Sequence, residues 1–550
     1  MNYTGFLNVY KEKGMTSMSV CARIRRILHV DKVGHAGTLD PMAEGVLPVA
    51  LGRACKSVED AGQGIKTYEA GMLLGTVTDT QDITGTVLSS WEKPLPPEEE
   101  IRRVIAGFEG GYDQLTPMYS ARQVDGRRLY DIARSGETVE RETKHIDIRS
   151  IRILSMDLPH VRFVVECSKG TYVRTICHDI GERLGCGACM ESLIRTKVGD
   201  FEIGDTLGFR DLEALEAAGT VDTALRVITP TAVAIGKFDG THIGHQLLLR
   251  ELRKTAEKQR LRSLVLLVRP EEKSIEAREE HRDRLLSMGI DYVIELPLTE
   301  ELMQMSAEDF LRDVLLKKCC MKYLVGGTDI AFGYQKQGNA AFLAEKAGEY
   351  GFHYRLIEKL ELQKGFLKDA NAPAAVSSSL VREYLSRGDM ETVRRLMGTF
   401  FTLRGTVIRG RHLGTDTLET ATANIAVSED RQLPPYGVYV SRVTVSGKED
   451  RKVKNDLTAP KGKGFDVYYG ISDLGRKPSI NGGTDPLSLE THILTPQVRE
   501  ELYGREIQVE LLHFLREERK FDSLEDLKEQ ILSEDIPAAE QYISDILKKR

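Results

Sequence analysis

Four short apolar runs constrain the fold of the middle of this chain more strongly than any other feature of the sequence. They are AVAIG (232–236), SLVLLV (263–268), DYVIEL (291–296) and KYLVGG (322–327), and segments with helical patterns separate them. Strands that are apolar on both faces and alternate with helices are typical of a parallel sheet covered by helices on both sides. The sequence therefore predicts a doubly wound α/β domain in this region.

The regions before and after these runs have different patterns of predicted strands and helices. The first 225 residues mix short strands with helices, whereas the residues past about 398 form β-rich segments with turn-like spacers, which favours a small barrel. A chain of 550 residues is also too long for a single core. We therefore predict a multidomain protein. Its predicted parts are an α+β domain (1–225), an α/β Rossmann-like domain (231–395), a small β-barrel domain (398–535) and a C-terminal helical tail (536–550).

The composition of the chain is more informative about its cellular compartment than about its binding partners. The chain carries a formal net charge of −7 and eight cysteines, too few for a disulfide framework, which favours a reducing cytoplasm. No apolar run approaches the roughly 18 residues that span a bilayer, and the N-terminus lacks the pattern of a secretory leader. We expect a cytoplasmic protein with no membrane association. The acidic balance does not predict nucleic-acid binding, although local basic clusters could still hold a phosphate backbone.

A lone carboxylate raises the first question about function. Within GHAGTLDPMAEGVLPVALG (34–52), Asp40 lies between a glycine-rich turn and a proline, with no His, Cys or second acid immediately beside it. Acidic residues in loops usually cap a helix or face water. Spacing alone favours that simple interpretation over a catalytic one.

Six segments that follow one another along residues 1–225 change this interpretation. They are GMTS (14–17), GHAGTLDPMAEGVLPV (34–49), KTYEAGMLLGTVTDTQDITG (66–85), PMYSA (117–121), GRRLYDIAR (126–134) and CSKGTYVRTICHDIGERLGCGA (167–188). In this order they resemble the catalytic domain of the bacterial tRNA pseudouridine synthase B family, which isomerises the T-arm uridine. The resemblance implies that tRNA is a partner and that this region forms pseudouridine.

The chemistry of that family gives Asp40 a role. Forming pseudouridine breaks the C1′–N1 bond, rotates the uracil and rejoins it through C5 without a cofactor, and a carboxylate nucleophile can keep the fragments together. The resemblance implies that Asp40 is this nucleophile and that Arg174, in a strand formed by TYVRT, pairs with it. It further implies that Tyr68 stacks on the flipped uracil and assists proton transfer, that Tyr172 lines the pocket and that His35 lies near the extruded base.

The extent of the resemblance bears on how tRNA is bound. Because the next domain begins at about residue 231, we expect the RNA-binding C-terminal domain that family members often carry to be absent, which affects affinity for tRNA rather than chemistry. A rival hypothesis makes the N-terminal half a tRNA-folding chaperone that binds and flips without needing catalysis. The presence of Asp40 together with Arg174 argues against this rival.

A second motif lies where the first of the four apolar runs ends. The segment VAIGKFDGTHIGHQLLLREL (233–252) contains GxFDGxHxGH at a strand-to-helix junction, which indicates a nucleotidyltransferase. His242 and His245 lie where a helix N-terminus would meet the phosphates of ATP, and they can stabilise charge as pyrophosphate leaves.

Two later segments extend this motif. GGTDIAFGYQKQG (326–338) and VSSSLVREYLSRGDM (376–390), taken with the HxGH motif, resemble the bacterial bifunctional riboflavin kinase/FMN adenylyltransferase family. The resemblance implies that Ser377, Ser378 and Arg382 bind phosphates. It also implies that this domain uses ATP to convert FMN to FAD.

The β-rich region resembles the riboflavin kinase half of the same family. The matching stretches are TATAN (420–424), GVYV (437–440), SLETHIL (488–494) and ELYGREIQVELLHFLREERKFDSLEDLKEQI (501–531). The resemblance implies that riboflavin is phosphorylated to FMN, with Thr422 and Asn424 contacting Mg²⁺ and phosphate. Glu490 would be the base that accepts the ribityl hydroxyl proton.

The flavin half departs from its family at two places. The stretch GRHLGTDTLETATAN (410–424) adds Asp416 and Glu419, which would repel a phosphate unless they point away or hold metal. LLVRPEEK (266–273) replaces a strand end that carries aspartate and histidine in the family.

We predict a fusion enzyme that makes pseudouridine in tRNA and converts riboflavin to FMN and FAD with ATP and Mg²⁺. The alternative is an active synthase fused to a degenerate flavin- or nucleotide-binding module.

Overall fold

The computed structural model of the chain divides into two compact units. One comprises residues 1–229 with 318–320, and the other comprises residues 230–317 and 321–550. The structure describes residues 3–120, 123–124, 127–129, 132, 139, 141–269, 273–363, 366–367, 375–408, 422–446, 465–476, 487–494 and 502–548. Among these residues, no helix combines the length and the apolar character needed to cross a membrane.

In the described part of the first unit, the strands form a mixed sheet and three two-stranded ribbons. The strands are β1 (Gly5–Lys11), β2 (Val33–His35), β3 (Glu44–Leu51), β4 (Lys66–Leu74), β5 (Thr76–Thr78), β6 (Val87–Ser90), β7 (Tyr112–Leu115), β8 (Gln123–Val124), β9 (Arg127–Arg128), β10 (Thr143–Ile146), β11 (Ile148–Asp157), β12 (His160–Cys167), β13 (Ala188–Val198) and β14 (Phe201–Glu202). The main sheet has the order β1-β3-β13-β4-β12-β11, with β2 paired to β3 and β14 paired to β13. The β3–β13 pair is parallel, which brings the start of β3 beside the middle of β13.

Helices accompany these strands in the part of the first unit that the structure describes. They are α1 (Ser17–Ile27), α2 (Val58–Ala61), α3 (Glu98–Ala106), α4 (Val173–Leu184) and α5 (Phe209–Ala217). Helix α1 begins after Thr16, whose hydroxyl accepts a hydrogen bond from the Ser19 amide at 3.0 Å. Helix α3 opens with three glutamates, which favour a helix N-terminus, and buries Ile101 and Ile105.

The segment TYVRT does not form the strand that the sequence predicts. Strand β12 ends at Cys167, and the chain then turns at Gly170 with φ of +86°. Tyr172 is the N-cap residue of α4, so Arg174 lies in the first turn of a helix. The strand prediction is wrong because the glycine turn separates these residues from the preceding strand.

A five-stranded parallel sheet forms the first part of the second unit. Its strands are β15 (Thr231–Gly236), β16 (Arg262–Arg269), β17 (Tyr292–Pro297), β18 (Met321–Gly327) and β19 (His353–Ile357). The order is β17-β16-β15-β18-β19, and each neighbouring pair is parallel. The chain moves to one side of β15 through β16 and to the other side through β18. Open parallel sheets bind ligands at the carboxyl ends of the strands at such a switch point.

Among the described residues, this part of the chain also contains α-helices, and a π-helical segment (Phe310–Lys318) follows the fourth of them. The α-helices are α6 (Ile243–Gln259), α7 (Arg278–Ser287), α8 (Glu300–Gln304), α9 (Ala307–Asp309), α10 (Ala340–Tyr350), α11 (Ser378–Ser386) and α12 (Met390–Met397). Helix α6 begins directly after the turn that follows β15, so its N-terminus lies at the carboxyl edge of the sheet.

An antiparallel sheet follows. Its strands are β20 (Phe401–Thr406), β21 (Thr422–Ala426), β22 (Gly437–Ser446), β23 (Phe465–Arg476), β24 (Leu487–Ile493) and β25 (Glu506–Glu517), in the order β20-β25-β22-β23-β24-β21, and helices α13 (Leu524–Gln530) and α14 (Ile536–Lys548) come after them. One apolar core contains Leu385 of α11 and Val393 of α12 together with Val443 and Leu489 of this sheet. The antiparallel sheet and the helices that precede it therefore bury a common surface.

Candidate active sites

Asp40 lies in the turn between β2 and β3, and buried side chains hold this turn from the interior. Ser17 Oγ accepts a hydrogen bond from the Leu39 amide at 3.0 Å and donates one to the Leu39 carbonyl at 3.2 Å. Lys11 Nζ donates to two backbone carbonyls on the C-terminal side of Asp40. Burial lowers the pKa of Lys11 to about 8, against the opposing effect of the Asp40 and Glu44 carboxylates. The turn is therefore fixed on both sides of the carboxylate.

Arg195 of β13 is a fully buried cation that contacts the same turn. Its Nε donates a hydrogen bond to the Val46 carbonyl at 2.8 Å, and its Nη2 donates to the Gly37 carbonyl at 3.0 Å. These carbonyls lie on opposite sides of Asp40 in the sequence. Gly45 pairs with Arg195 and has φ of +103°, and a Cβ there would lie 2.3 Å from the Arg195 carbonyl oxygen. Only glycine allows this close approach of β3 to β13.

Arg174 lies between two carboxylates. Its Nη1 is 3.4 Å from Asp40 Oδ2 and 3.8 Å from Asp82 Oδ2. The Arg174 side chain is 6% exposed and that of Asp82 is 5% exposed, whereas that of Asp40 is 36% exposed. Arg174 Nη2 also donates a hydrogen bond to the Tyr119 carbonyl. The exposed member of this group is therefore Asp40, and a buried cation orients it.

Tyr68 and His35, two further residues that the sequence analysis assigned to this site, are near the buried Arg195. Tyr68 of β4 is buried, which raises the pKa of its phenol, and the guanidinium of Arg195 opposes that shift. His35 ends β2, and burial together with Arg195 lowers its pKa, so the imidazole is neutral at pH 7. Both side chains thus present neutral groups close to a buried cation.

The backbone of Tyr172 is held from a distant strand. Its amide donates a hydrogen bond to Gln114 Oε1 at 2.9 Å, and Gln114 Nε2 donates to the Tyr172 carbonyl at 3.1 Å. Gln114, on β7, is itself buried. The Tyr172 ring lies 5.7 Å from Arg174 Cζ. This clamp fixes the start of α4, and with it the direction of Arg174.

In the second unit, the two predicted histidines stack on each other. Their ring centroids are 3.6 Å apart with an interplanar angle of 17°. Burial lowers the pKa of His242 to about 4, and burial also lowers the pKa of His245 well below its ordinary value. His242 Nδ1 accepts a hydrogen bond from the His245 amide at 3.3 Å, so the neutral ring carries its proton on Nε2. His242 is therefore a hydrogen-bond donor at the N-terminus of α6, where phosphates bind well.

A cleft of about 270 Å³ opens at the carboxyl edge of the parallel sheet. Its lining residues are Lys237, Asp239, Leu267, Val268, Arg269, Ser274, His281, Ser378, Ser379 and Arg382. Ser378 Oγ donates a hydrogen bond to the Asp239 carbonyl at 2.8 Å, and Arg382 forms an ion pair with the Asp239 carboxylate. Ser377 instead caps α11 by accepting a hydrogen bond from the Leu380 amide at 3.3 Å.

Two lining residues carry polar atoms suited to an anion. Within the described residues, the buried atoms His281 Nε2 and Arg269 Nη2 have no hydrogen-bond partner. Burial lowers the pKa of His281, and the carboxylate of Glu276 opposes that shift. The sequence carries Arg269 and Pro270 where the family has an acidic and histidine-containing strand end, and here a histidine reaches the cleft from α7 instead.

The predicted kinase residues lie on neighbouring strands of the antiparallel sheet. Asn424 of β21 is directly opposite Glu490 of β24, and Thr422 is opposite His492. Asp473 of β23 pairs with Glu490 from the other side. Because alternate residues of β24 are buried, Glu490 and His492 share the other face. Residues 409–421, which contain most of the divergent loop, lie outside the described residues.

The oxygen-rich character of this face suits a hard cation. Thr422 and Asn424 offer a hydroxyl and an amide carbonyl beside the Glu490 carboxylate, and Mg²⁺ prefers oxygen ligands. In the part of the chain that the structure describes, no group of three or more His, Cys, Asp or Glu side chains has the arrangement of a metal site. A metal here would therefore need oxygen donors from its nucleotide or from water.

Sequence reasoning missed several residues that these sites use. Arg195 and Gln114 of the first unit belong to segments without a local signal of function. Asp82 lies inside the matching stretch 66–85, which could have indicated its contact with Arg174. Asp239 lies inside the GxFDGxHxGH motif, so its place in the motif could have indicated its contact with Arg382.

Comparison with family models accounts for most of the chain. Residues 25–173 match the N-terminal domain of the TruB family of pseudouridylate synthases, and residues 174–235 match the C-terminal domain of tRNA pseudouridylate synthase B. Residues 226–369 match FAD synthetase, and residues 397–543 match riboflavin kinase. These matches confirm both resemblances. The match to the C-terminal domain begins at Arg174, inside the segment we assigned to the catalytic domain, and the absence of a separate RNA-binding domain stays a prediction.

Curated relatives agree with the first of these matches. tRNA pseudouridine synthase B of Clostridium tetani is 43% identical over 239 residues, which are 44% of this chain and 80% of the relative. The protein of the same name from Clostridium acetobutylicum is 46% identical over 38% of this chain and 72% of the relative, and that from Geobacter sulfurreducens is 44% identical over 40% and 73%. Through its N-terminal region, the chain belongs to the tRNA pseudouridine synthase B family, and regions that match FAD synthetase and riboflavin kinase follow that region.

Proposed function

We propose that the N-terminal region isomerises uridine to pseudouridine in the T-arm of tRNA, with Asp40 as a covalent nucleophile. The observation that carries this proposal is the ion pair at 3.4 Å between exposed Asp40 and buried Arg174. A held turn presents the carboxylate where a flipped nucleotide can reach it, while the cation that orients it stays out of water. A covalent bond to Asp40 retains the ribose while the detached uracil rotates.

The neighbouring side chains fit the remaining steps. Tyr68 keeps its proton at neutral pH because burial raises the pKa of its phenol, so it can stack on the uracil and later take part in proton transfer at C5. Tyr172, at the start of α4 with its ring 5.7 Å from Arg174 Cζ, lines the pocket. The half-buried imidazole of His35 is neutral and can contact the extruded nucleotide without adding charge.

Replacement of Asp40 by asparagine tests this role. Asp40→Asn should abolish the release of tritium from C5-labelled uridine in a T-arm transcript, because an amide cannot act as an anionic nucleophile. Filter binding should show tRNA affinity close to that of the unmodified chain. Asp60→Asn, which changes an exposed acid of the same unit, is the matched control. Appreciable turnover by Asp40→Asn would remove Asp40 from this role.

We further propose that the second unit phosphorylates riboflavin to FMN and transfers the adenylyl group of ATP to FMN. In the second reaction, an oxygen of the FMN phosphate attacks the α-phosphorus of ATP, and pyrophosphate leaves. The switch point of the parallel sheet, with donors from His242 and Arg382 and with Ser378 at the start of α11, supports binding of ATP there. In the first reaction, Glu490 accepts the ribityl hydroxyl proton, and Thr422 and Asn424 contact Mg²⁺, which offsets charge on the transferred phosphoryl group.

The flavin products of the full chain test the second proposal. Incubation with riboflavin, ATP and Mg²⁺ should yield FMN and then FAD by chromatography. His242→Ala should stop the reaction at FMN without changing pseudouridine formation, and His353→Ala, at an exposed histidine of β19, is the control. Calorimetric binding of riboflavin or FMN without any conversion would establish the degenerate binding module instead.

A further inference from the structure

A segment of the riboflavin kinase region packs against the wall of the nucleotide cleft. The segment 427–436 joins β21 to β22, and its Gln432 amide donates a hydrogen bond to the Ser274 carbonyl at 2.7 Å. Ser274 and Arg431 also form an isolated parallel bridge. Ser274 lines the cleft. The backbone of the segment before α7, which lines the cleft, is therefore hydrogen-bonded to the backbone of the riboflavin kinase region.

The Gln432 side chain contacts a phosphate-binding candidate directly. Gln432 Oε1 accepts a hydrogen bond from Arg382 Nη1 at 2.8 Å, and Gln432 Nε2 donates to the Arg382 carbonyl at 3.3 Å. The other terminal nitrogen of Arg382 pairs with the Asp239 carboxylate. Asp239 in turn accepts a hydrogen bond from the Ile275 amide at 2.7 Å. The guanidinium is thus held on two sides at the edge of the cleft, with 30% of the Arg382 side chain exposed.

Arg431, next to Gln432, anchors the segment 427–436 to α7 and to the residues before it. It is 4% exposed, its Nη1 donates to Glu280 of α7 at 2.8 Å, and its Nη2 donates to the Ile275 carbonyl at 2.9 Å. Its guanidinium carbon lies 4.7 Å from the centre of the Phe401 ring. A buried cation with these partners has little freedom to move. The position of Gln432 beside it is therefore set by the packing of the two regions.

We propose that Gln432, supplied by the riboflavin kinase region, is a positioning residue of the adenylyltransferase site and acts by aiming Arg382 at the phosphates of ATP. The inference rests on the proposed function of the cleft. A free arginine side chain loses rotamer freedom when it binds a phosphate, and an arginine that is already clamped loses less. Two of its five donors go to Gln432 and Asp239, so other donors remain for a phosphate oxygen.

A near-isosteric apolar substitution tests the clamp. In the full chain, Gln432→Met should raise the KM for ATP in FMN adenylylation about tenfold, because Arg382 loses one anchor. The KM for FMN and the rate of riboflavin phosphorylation should stay within twofold, which shows that both regions remain folded. Asp430→Asn, at an exposed acid of the same segment, is the matched control.

A double-mutant cycle separates positioning from a general structural effect. In an Arg382→Met background, Gln432→Met should have no further effect on the KM for ATP, because Gln432 acts through Arg382. An equal rise with and without Arg382, a parallel rise in the KM for FMN, or an unchanged KM for ATP in Gln432→Met would each overturn the proposal. Absence of FMN adenylylation by the unmodified chain would contradict the proposed function itself, so the two failures are distinguishable.

Discussion

Replacing Arg195 by lysine changes the position of Asp40 without removing its carboxylate. The guanidinium makes hydrogen bonds of 2.8 and 3.0 Å to the carbonyls of Val46 and Gly37, on opposite sides of Asp40. A lysine keeps the charge, but its ammonium group cannot replace the fork that spans both carbonyls. Losing one hydrogen bond from a charged donor costs about 1.5–3 kcal/mol, and about 1.4 kcal/mol of lost transition-state stabilisation lowers a rate tenfold. We expect Arg195→Lys to slow pseudouridine formation about 10- to 100-fold.

Single-turnover tritium release with saturating enzyme is the appropriate assay, because it reports chemistry rather than product release. Affinity for tRNA, measured by filter binding, should change less than threefold. Arg149→Lys, at an arginine whose side chain is 63% exposed on β11, should behave as the unmodified chain. A rate for Arg195→Lys within twofold of the unmodified chain, in a folded variant, would refute the idea that the buried fork positions the nucleophile.

Three further predictions concern the other sites. Glu490→Gln should block phosphorylation of riboflavin while supplied FMN is still adenylylated, because the amide cannot accept the ribityl proton; equal phosphorylation by chromatography would disprove the assignment. Gln114→Leu should slow pseudouridine formation about tenfold, because the Tyr172 backbone loses both hydrogen bonds, and single-turnover tritium release checks this. The pKa of His242 is lowered to about 4 in the folded chain, so the unfolded chain binds more protons as the pH falls below 6.5. His242 should therefore cost the second unit about 2 kcal/mol of unfolding free energy between pH 7 and pH 5, and in urea titrations the loss for His242→Asn should be smaller than that of the unmodified chain by about this amount.

Local patterns in the sequence located the parts of the sites that lie within short motifs. The four apolar runs correspond to β15, β16, β17 and β18, because strands that are buried on both faces need apolar residues at every position. The HxGH motif follows the first of these strands, and its histidines lie at the N-terminus of α6. Asp40 and Arg174 were paired through the family resemblance, and the structure places them 3.4 Å apart.

Residues that act over long separations in the chain left no such pattern. Arg195 is 158 residues from Gly37, and Gln432 is 50 residues from Arg382. Arg195 contacts a backbone carbonyl and Gln432 contacts a side chain, and no local sequence motif predicts either contact. The helix at Arg174 was missed for a related reason, since the alternation in TYVRT also suits a strand and the turn at Gly170 decides between them.

The carboxylate of Asp40 is accessible for chemistry because two of the nearby cations donate their hydrogen bonds to backbone carbonyls instead of to Asp40. Lys11 and Arg195 donate to backbone carbonyls of the turn that carries Asp40. Within the described residues, Arg174 is the ion-pair partner of Asp40, and it is shared with Asp82. A carboxylate saturated by several cations would have few lone pairs left to form a bond to carbon. Substitutions at Lys11 or Arg195 should therefore act through the shape of the turn, whereas substitutions at Arg174 should act through the charge that Asp40 faces.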